Sequence, residues 1–269
     1  MSYVSQVTQA TQVTQIAQVT EIARAPQVQS YERSLERSRQ SLTRADRPST
    51  FTLGGREWDL LDEVFAPVYS PSTGVALDFL GLSGSDGGTD GHGAHGGSFL
   101  EIGCGTGVIA VAAALGGYER VVASDISPRA VENAAINAER HGVTDRVRAV
   151  HSDLFSGLGD AERFDTVFWS SNYVLGPDNY EYASVHERAY VDTGYRAHRR
   201  YLEQAPRWIT EGGRALLHFS SRGDLPALYR IADECRRELH TLSAYRVCEG
   251  EYGNDMVEHM LLQIVPVAA

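Results

Sequence analysis

The sequence predicts an α/β fold: an open, mainly parallel sheet with helices on both faces, preceded by a helical N-terminal extension. Three observations predict it. From residue 98 onward, short apolar runs alternate with helical patterns of about 10–15 residues, the mark of strand–helix–strand units. The run Phe99-Leu100-Glu101-Ile102 passes straight into Gly103-Cys104-Gly105-Thr106-Gly107 and then into a small-residue helical stretch, Val108 to Leu115. At the other end, two strand patterns follow one another without a helix between them, as an antiparallel pair closing one edge would.

Residues 1–23 are low in complexity and built on a Val-Thr-Gln triplet, with apolar residues at Val4, Val7, Val13, Ile16, Val19 and Ile22. A period of three drifts by about 60° per step around an α-helix, so it makes a poor helical stripe. The segment reads as a flexible arm, or as one that orders against a partner subunit. Around Ser30-Tyr31-Glu32-Arg33-Ser34-Leu35-Glu36-Arg37, residues 28–45 read as a polar, charged helix. Together 1–45 form an arm suited to assembly between copies of the chain, a homo-oligomer. The stretch 46–80 leads toward the core, with a hairpin or strand and turn at 51–58. Pro67 and Pro71 stop any helix before Ser72, and Ser72 or Thr73 starts one. Residues 81–97 are mostly Gly, Ser, Asp, Thr and His, a flexible connection in which His92 and His95 are solvated.

The principal domain, 98–269, then alternates. Strands are predicted at 98–102, 120–125, 146–151, 164–169 and 213–220. Helices are predicted at 107–116, 128–141, 184–205 and 224–239, and the final strands lie near 243–249 and 257–266.

The glycine loop offers helix N–H groups and a positive dipole end to a ligand. The next strand ends in Asp125, placed to accept from the two hydroxyls of a ribose. The dinucleotide fingerprint needs glycine at its sixth position, which here is Val108. The acid before the first glycine would repel a pyrophosphate but suits the ammonium of a methionine moiety, which favours S-adenosylmethionine over NAD.

Four motifs occur in order over about Phe99 to Val174: Glu101 to Gly107, Asp125-Ile126-Ser127-Pro128, His151-Ser152-Asp153-Leu154-Phe155, and Asp165-Thr166-Val167-Phe168-Trp169-Ser170-Ser171-Asn172-Tyr173. On these the chain resembles the class I S-adenosylmethionine-dependent methyltransferases, and within them the glutamine-type and small-domain N-methyltransferases. The resemblance implies a Rossmann-like seven-stranded methyltransferase sheet. It implies that Glu101 meets the cofactor ammonium, that Gly103, Gly105 and Gly107 make room for it, and that Asp125 takes the ribose hydroxyls. Ile126 would pack on the adenine, Asp153 would accept from its amino group, and Leu154 would lie alongside. The Pro-containing segment before the first motif borders the cofactor in that branch, which carries over to Tyr69, Ser72 and Thr73.

The fourth motif departs from the branch's Asn-Pro-Pro-Tyr: Ser170-Ser171-Asn172-Tyr173 keeps only the aromatic residue in place. Ser170 can accept one bond, and Asn172 replaces the missing acceptor if the loop is re-registered; as plain turn residues, Ser170 and Ser171 would do neither. Ser170, Asn172, Tyr173 and Glu181 are the candidate catalytic residues, with Asp178, Glu187 and His186 as other possible bases. Acids and phenols cluster after this motif and again between the last two strands, at Glu249, Glu251, Tyr252, Asn254, Asp255 and Glu258. Carboxylates with aromatic rings suit a cation, so Tyr69, Tyr173, Asp178, Tyr180, Glu181 and Asp255 are expected to hold a cationic substrate. The competing reading is of solvated acidic loops.

Composition narrows the field. Net charge is −11, which disfavours a nucleic-acid partner. All 24 basic residues are arginine, which excludes a lysine Schiff base and a P-loop lysine. Three cysteines in no ligand spacing imply no metal site and a reducing, cytoplasmic compartment. No apolar run of about 18 residues predicts a membrane span, and the first residues lack the pattern of a secretory signal. The expected function is N-methylation of a small guanidino or amino compound, free arginine or a related amino acid above all, in specialised-metabolite biosynthesis. Small-molecule O-methylation, glutamine N-methylation on a protein, nucleic-acid methylation and cofactor binding without catalysis are the competing readings.

Overall fold

A computed structural model describes residues 28–83, 96–249 and 255–267. The Val-Thr-Gln repeat, most of the glycine-rich connection, and Glu251, Tyr252 and Asn254 lie outside the described residues. In chain order the elements are α1 (Tyr31–Thr43), β1 (Thr50–Leu53), β2 (Arg56–Asp59), α2 (Ser72–Phe79), β3 (Ser98–Ile102), α3 (Val108–Leu115), β4 (Arg120–Asp125), α4 (Pro128–Arg140), β5 (Val147–His151), β6 (Phe164–Ser170), β7 (Leu175–Gly176), β8 (Asp192–Thr193), α5 (Arg196–Gln204), β9 (Ile209–Ser220), α6 (Leu225–Glu234), β10 (Arg237–Glu249) and β11 (Asp255–Pro266).

Seven strands form the predicted Rossmann-like sheet, in the order β10-β11-β9-β6-β3-β4-β5. β3, β4, β5, β6 and β9 run parallel, and β11 pairs antiparallel with both β9 and β10. The chain builds outward from β3 to β5, then returns to the other side of β3 with β6. That reversal opens a crevice above β3 and β6, where open α/β sheets bind ligands. β3 is buried on both faces along its whole length, as a central parallel strand must be.

Two hydrophobic layers sandwich the sheet. α3 is made of alanine and β-branched residues that let it press closely on β3 and β4. The other layer, with α5 and α6, is built around Trp169, Tyr201, Phe155 and Phe219. Gly107, at φ +78°, allows α3 to start where it does: a Cβ there would stand 2.7 Å from Cα and Cβ of Ala134 in α4. Gly107→Ala combines overpacking with a left-handed backbone. It is expected to cost about 2–4 kcal/mol, read as a fall in Tm.

The predicted hairpin at 51–58 is β1–β2, and α4 clamps its exit. Asn133 and Asn137 are fully buried and exchange hydrogen bonds of 2.8–3.0 Å with the backbone of Asp59 and Leu61, while Asn137 also donates to the Thr106 carbonyl in the glycine loop. The segment before the core is thus fastened to the glycine loop itself.

The structure corrects three predicted elements. The helix predicted over 184–205 is a 3-10 turn at Val185–Ala189, then β8, then α5. Gly194 and Tyr195 take positive φ there, and Asp192 accepts from the Ala197 and His198 amides, so the helix starts afresh at Arg196. α6 stops at Glu234, not 239, because Arg236 turns the chain at φ +55° into β10. Ser72 opens α2 without capping it; no side-chain cap is made there.

α1 carries one buried apolar residue, Leu35, with Ser34, Ser38 and Ser41. Burying one leucine contributes about 1.5–3 kcal/mol, so polar contacts must fix the helix in place. Ser38 Oγ lies 2.7 Å from His186 Nδ1, and the Tyr31 and Tyr180 rings meet at 5.9 Å. The described part of the expected assembly arm is therefore engaged within its own chain.

Candidate active site

The crevice holds a cleft of about 710 Å³, within the usual range for a small-ligand site. Its floor is the first motif. Glu101, 2 % exposed, accepts from the Ala110 amide at 2.8 Å. Burial pushes its carboxyl well above the usual carboxylate range, against the Ala110 hydrogen bond, and the neighbouring charge of Asp125 adds to the rise. Asp125 accepts from the Gly105 amide at 2.9 Å and the Ser127 amide at 2.8 Å, one on each oxygen. Each oxygen keeps a further lone pair, a match for two vicinal hydroxyls. Gly105, at φ +52°, has open space where a Cβ would stand.

These features suit S-adenosylmethionine. A buried carboxyl in the wall calls for a cation, and a pyrophosphate would meet two carboxylates. Ile126, Leu154, Ser72 and Thr73 line the same space. Asp153 lines it too, with both oxygens 2.9 Å from Arg200 Nη1. Any bond it accepts from an adenine amino group is shared with that guanidinium.

The fourth motif forms the facing wall. Ser170 Oγ lies 3.0 Å from His218 Nδ1, and Ser171 Oγ donates to the His218 carbonyl. Asn172 donates from Nδ2 to the carbonyls of Arg188 (2.7 Å) and Val191 (3.0 Å). Both partners only accept, so the amide orientation is fixed. Oδ1 is left buried without a partner among the described residues. Burial pushes the Tyr173 hydroxyl up to about 12, with the Glu249 charge adding to it. Tyr180 donates to Glu187 at 2.9 Å, and Glu181 lines the rim, exposed.

Four expected residues stand outside the cleft wall. Gly107 faces Ala134. Tyr69 lies under the Arg44 guanidinium, 4.8 Å from its ring. Asp178 packs against Gly194, and its carbonyl accepts from Arg196. Asp255 meets Arg222 at 3.5 Å. The acidic residues therefore do not converge. Arginines do: Arg37, Arg188, Arg196 and Arg200 all line the cleft. Sequence reasoning missed them because charge in a helix reads as a solvated face. It also missed His218 and His259. Their signal was legible: each is a lone histidine inside an apolar strand.

Comparison with known proteins gives the family. The description "Methyltransferase domain" matches residues 94–260. A bifunctional methyltransferase of Rickettsia felis is 32 % identical over 126 residues, 44 % of this chain and 24 % of that one. A release factor glutamine methyltransferase of Geobacter sulfurreducens is 36 % identical over 130 residues, 44 % of each chain. The matched stretch thus spans less than half the length of these relatives. In structure, a tRNA methyltransferase of M. jannaschii superposes with a TM-score of 0.52 at 14 % identity, over 82 % of this chain and 57 % of that one, a likeness of fold. With the motifs in place around the cleft, the chain belongs to the methyltransferase-domain family, an enzyme whose cofactor is S-adenosylmethionine.

Proposed function

We propose that the enzyme methylates a nitrogen of a small amino-acid-like molecule, free arginine and its relatives being the leading candidates. The observation that carries this reading is Asn172 Oδ1. A buried acceptor without a donor costs about 1–3 kcal/mol, and a site holds such a group when something else completes it. A substrate N–H would complete it, the side chains over Oδ1 giving way as the substrate enters the cleft that Asn172 lines. Accepting that hydrogen bond orients the nitrogen and leaves its lone pair free for attack. Bound S-adenosylmethionine supplies an electrophilic methyl group; the residues of this chain supply position and electrostatics.

The wall also speaks to the rest of the substrate. Glu101 and Asp125 serve the cofactor, Asp153 pairs with Arg200, Asp192 is taken by His198 and the Ala197 amide, and Glu187 is taken by Tyr180 and the Ala183 amide. Glu63 and Glu181 remain, among Arg37, Arg188 and Arg196. Arg37 is half-buried, lies near the Tyr173 and Tyr190 hydroxyls, and makes no salt bridge among the described residues. It is the natural seat of a substrate carboxylate. A purely cationic compound suits this cleft less well than one bearing both an N–H and a carboxylate.

The test is turnover of S-adenosylmethionine against free arginine, other amino acids, decarboxylated amines, phenolic acids, a purified release factor and tRNA, read by mass spectrometry. A methyl gain on the nitrogen of a free amino acid supports the reading. A gain on phenols alone replaces it with O-methylation. A second reading, glutamine methylation on a protein, is favoured by the Geobacter relative; methylation of the release factor and of no free compound would establish that instead. Arg37→Ala is expected to raise KM for a carboxylate-bearing substrate about 10- to 100-fold, the worth of a charge-assisted hydrogen bond. The matching decarboxylated amine should be indifferent to the change.

A further inference from the structure

Behind Ser170 runs a buried file of titratable side chains that crosses the sheet from strand to strand. Ser170 on β6 and His218 on β9 are register partners. From Ser170 Oγ the contacts are His218 Nδ1 at 3.0 Å, His218 Nε2 to His259 Nδ1 at 2.9 Å, and His259 Nε2 to Glu249 Oε1 at 2.7 Å. Glu249 Oε2 then accepts from Arg222 Nε at 2.9 Å. His218 is 1 % exposed, His259 0 % and Glu249 6 %. A hydrophobic core does not bear such a file unless every member is satisfied, and here each member is.

The direction of the file is fixed from its far end. Burial works against the charge of Glu249, but the His259 hydrogen bond and the Arg222 guanidinium hold its carboxyl below the usual range. An ionised carboxylate only accepts, so His259 carries a proton on Nε2, and as a neutral ring it presents Nδ1 as an acceptor. His218 must then donate from Nε2 and accept on Nδ1. Ser170 in turn gives its hydroxyl proton inward. Burial, with His259 beside it, pushes the His218 imidazole down to about 3, so it remains neutral. The other groups facing the file are the Phe79 ring edge on His218 and Tyr173 against His259 and Glu249, with Asp255 on Arg222.

We propose that Ser170, His218, His259 and Glu249 form a proton outlet for the acceptor nitrogen, with Ser170 touching the substrate and the three buried residues acting through it. The inference rests on the reading of the site as nitrogen methylation. As the nitrogen–carbon bond forms, the carbon–sulfur bond breaks and its electron pair stays on sulfur. The nitrogen sheds one proton to Ser170 Oγ. Ser170 passes its own to His218 Nδ1, His218 passes Nε2–H to His259 Nδ1, and the net added proton rests on the His259–Glu249 pair. His218 ends neutral, with its tautomer reversed. No water need enter the cleft to remove the proton.

The first test needs no substrate. Long-range proton–nitrogen NMR on the nitrogen-15-labelled chain, with S-adenosylhomocysteine bound at neutral pH, reports the tautomer of each histidine. Protonated Nε2 and bare Nδ1 are expected on both His218 and His259. A proton on Nδ1 of either ring would point the file toward Ser170 and overturn the outlet. The second test uses a compound that turns over in the panel above. Glu249→Gln is expected to lower kcat about 100-fold, the scale of a lost general base, with the KM for S-adenosylmethionine unchanged. In mixtures of light and heavy water, kcat of the unaltered enzyme should fall along a curve, several protons moving together; a straight line would overturn the outlet. If Glu249→Gln fails to fold, the NMR and heavy-water readings still decide. If no nitrogen compound turns over, the functional reading fails while the tautomers still judge the file.

Discussion

Asn172→Ala is expected to lower kcat about 100- to 1000-fold while the affinity for S-adenosylmethionine stays within about a factor of three. The scale is that of removing one prepositioned hydrogen-bonding group from a site where charge shifts in the transition state. The asymmetry between the two readouts follows from placement. Asn172 lies in the fourth motif, on the wall facing the glycine loop, and makes its two bonds to the carbonyls of Arg188 and Val191. The floor of the cleft is built from β3, β4 and their loops and does not use it. Structural damage should be small, since the Tyr182 hydroxyl still donates to the Val191 carbonyl at 3.0 Å. Calorimetric titration with S-adenosylhomocysteine, beside steady-state kinetics, separates the two effects. An equal loss of cofactor affinity and of kcat would move Asn172 from the reacting nitrogen to the scaffold.

Glu101→Gln is expected to act with opposite signs on stability and on binding. Burial raises the carboxyl above its ordinary range. The sign follows from linkage. A carboxyl whose folded pKa is raised favours the folded state at low pH. As pH rises past the ordinary carboxylate value of about 4.3, the unfolded chain ionises first, and stability is lost until the folded pKa is passed. Glutamine escapes that loss and can still accept from the Ala110 amide. The variant without cofactor should therefore melt higher than the parent at neutral pH, with the difference vanishing near pH 3–4, as thermal scans across pH would show. Its affinity for S-adenosylmethionine should fall about 10- to 100-fold, because a charge-assisted bond to an ammonium is worth about 1.5–3 kcal/mol. In the parent, affinity should rise with pH as Glu101 ionises. A variant that is less stable at neutral pH, or that binds as tightly, would remove Glu101 from the cofactor site.

Much of the fold was legible because the signals are local. The strand ending at Ile102, the glycine loop, and the second strand ending in Asp125 are contiguous in sequence and in space. Their spacing alone dictates a turn, a helix start and a paired acid. The closing antiparallel pair was readable for the same reason, although only pairing placed β11 between β9 and β10. Where local propensity misled, a distant residue decided. The run from 184 to 205 has helical composition, but Asp192 caps α5 from four residues upstream and Gly194 must lie against Asp178.

The sequence by itself determined a Rossmann-like sheet, the glycine loop and the acid Asp125 beside it at the end of the next strand, because each needs only neighbouring residues and a period. It determined that Asn172 stands in the fourth motif, but not which way its amide points. That is set by two carbonyls 16 and 19 residues away. Only the tertiary structure decided the character of the cleft wall. Counting acids in two loops suggested a cation trap, yet Asp178 and Asp255 turn to other partners and α1 brings Arg37 across the cleft. Only the tertiary structure joined His218, His259 and Glu249 into one file behind Ser170. Charge and hydrogen bonding depend on distance in space, and the residues of that file alone span 79 positions along the chain (Ser170 to Glu249).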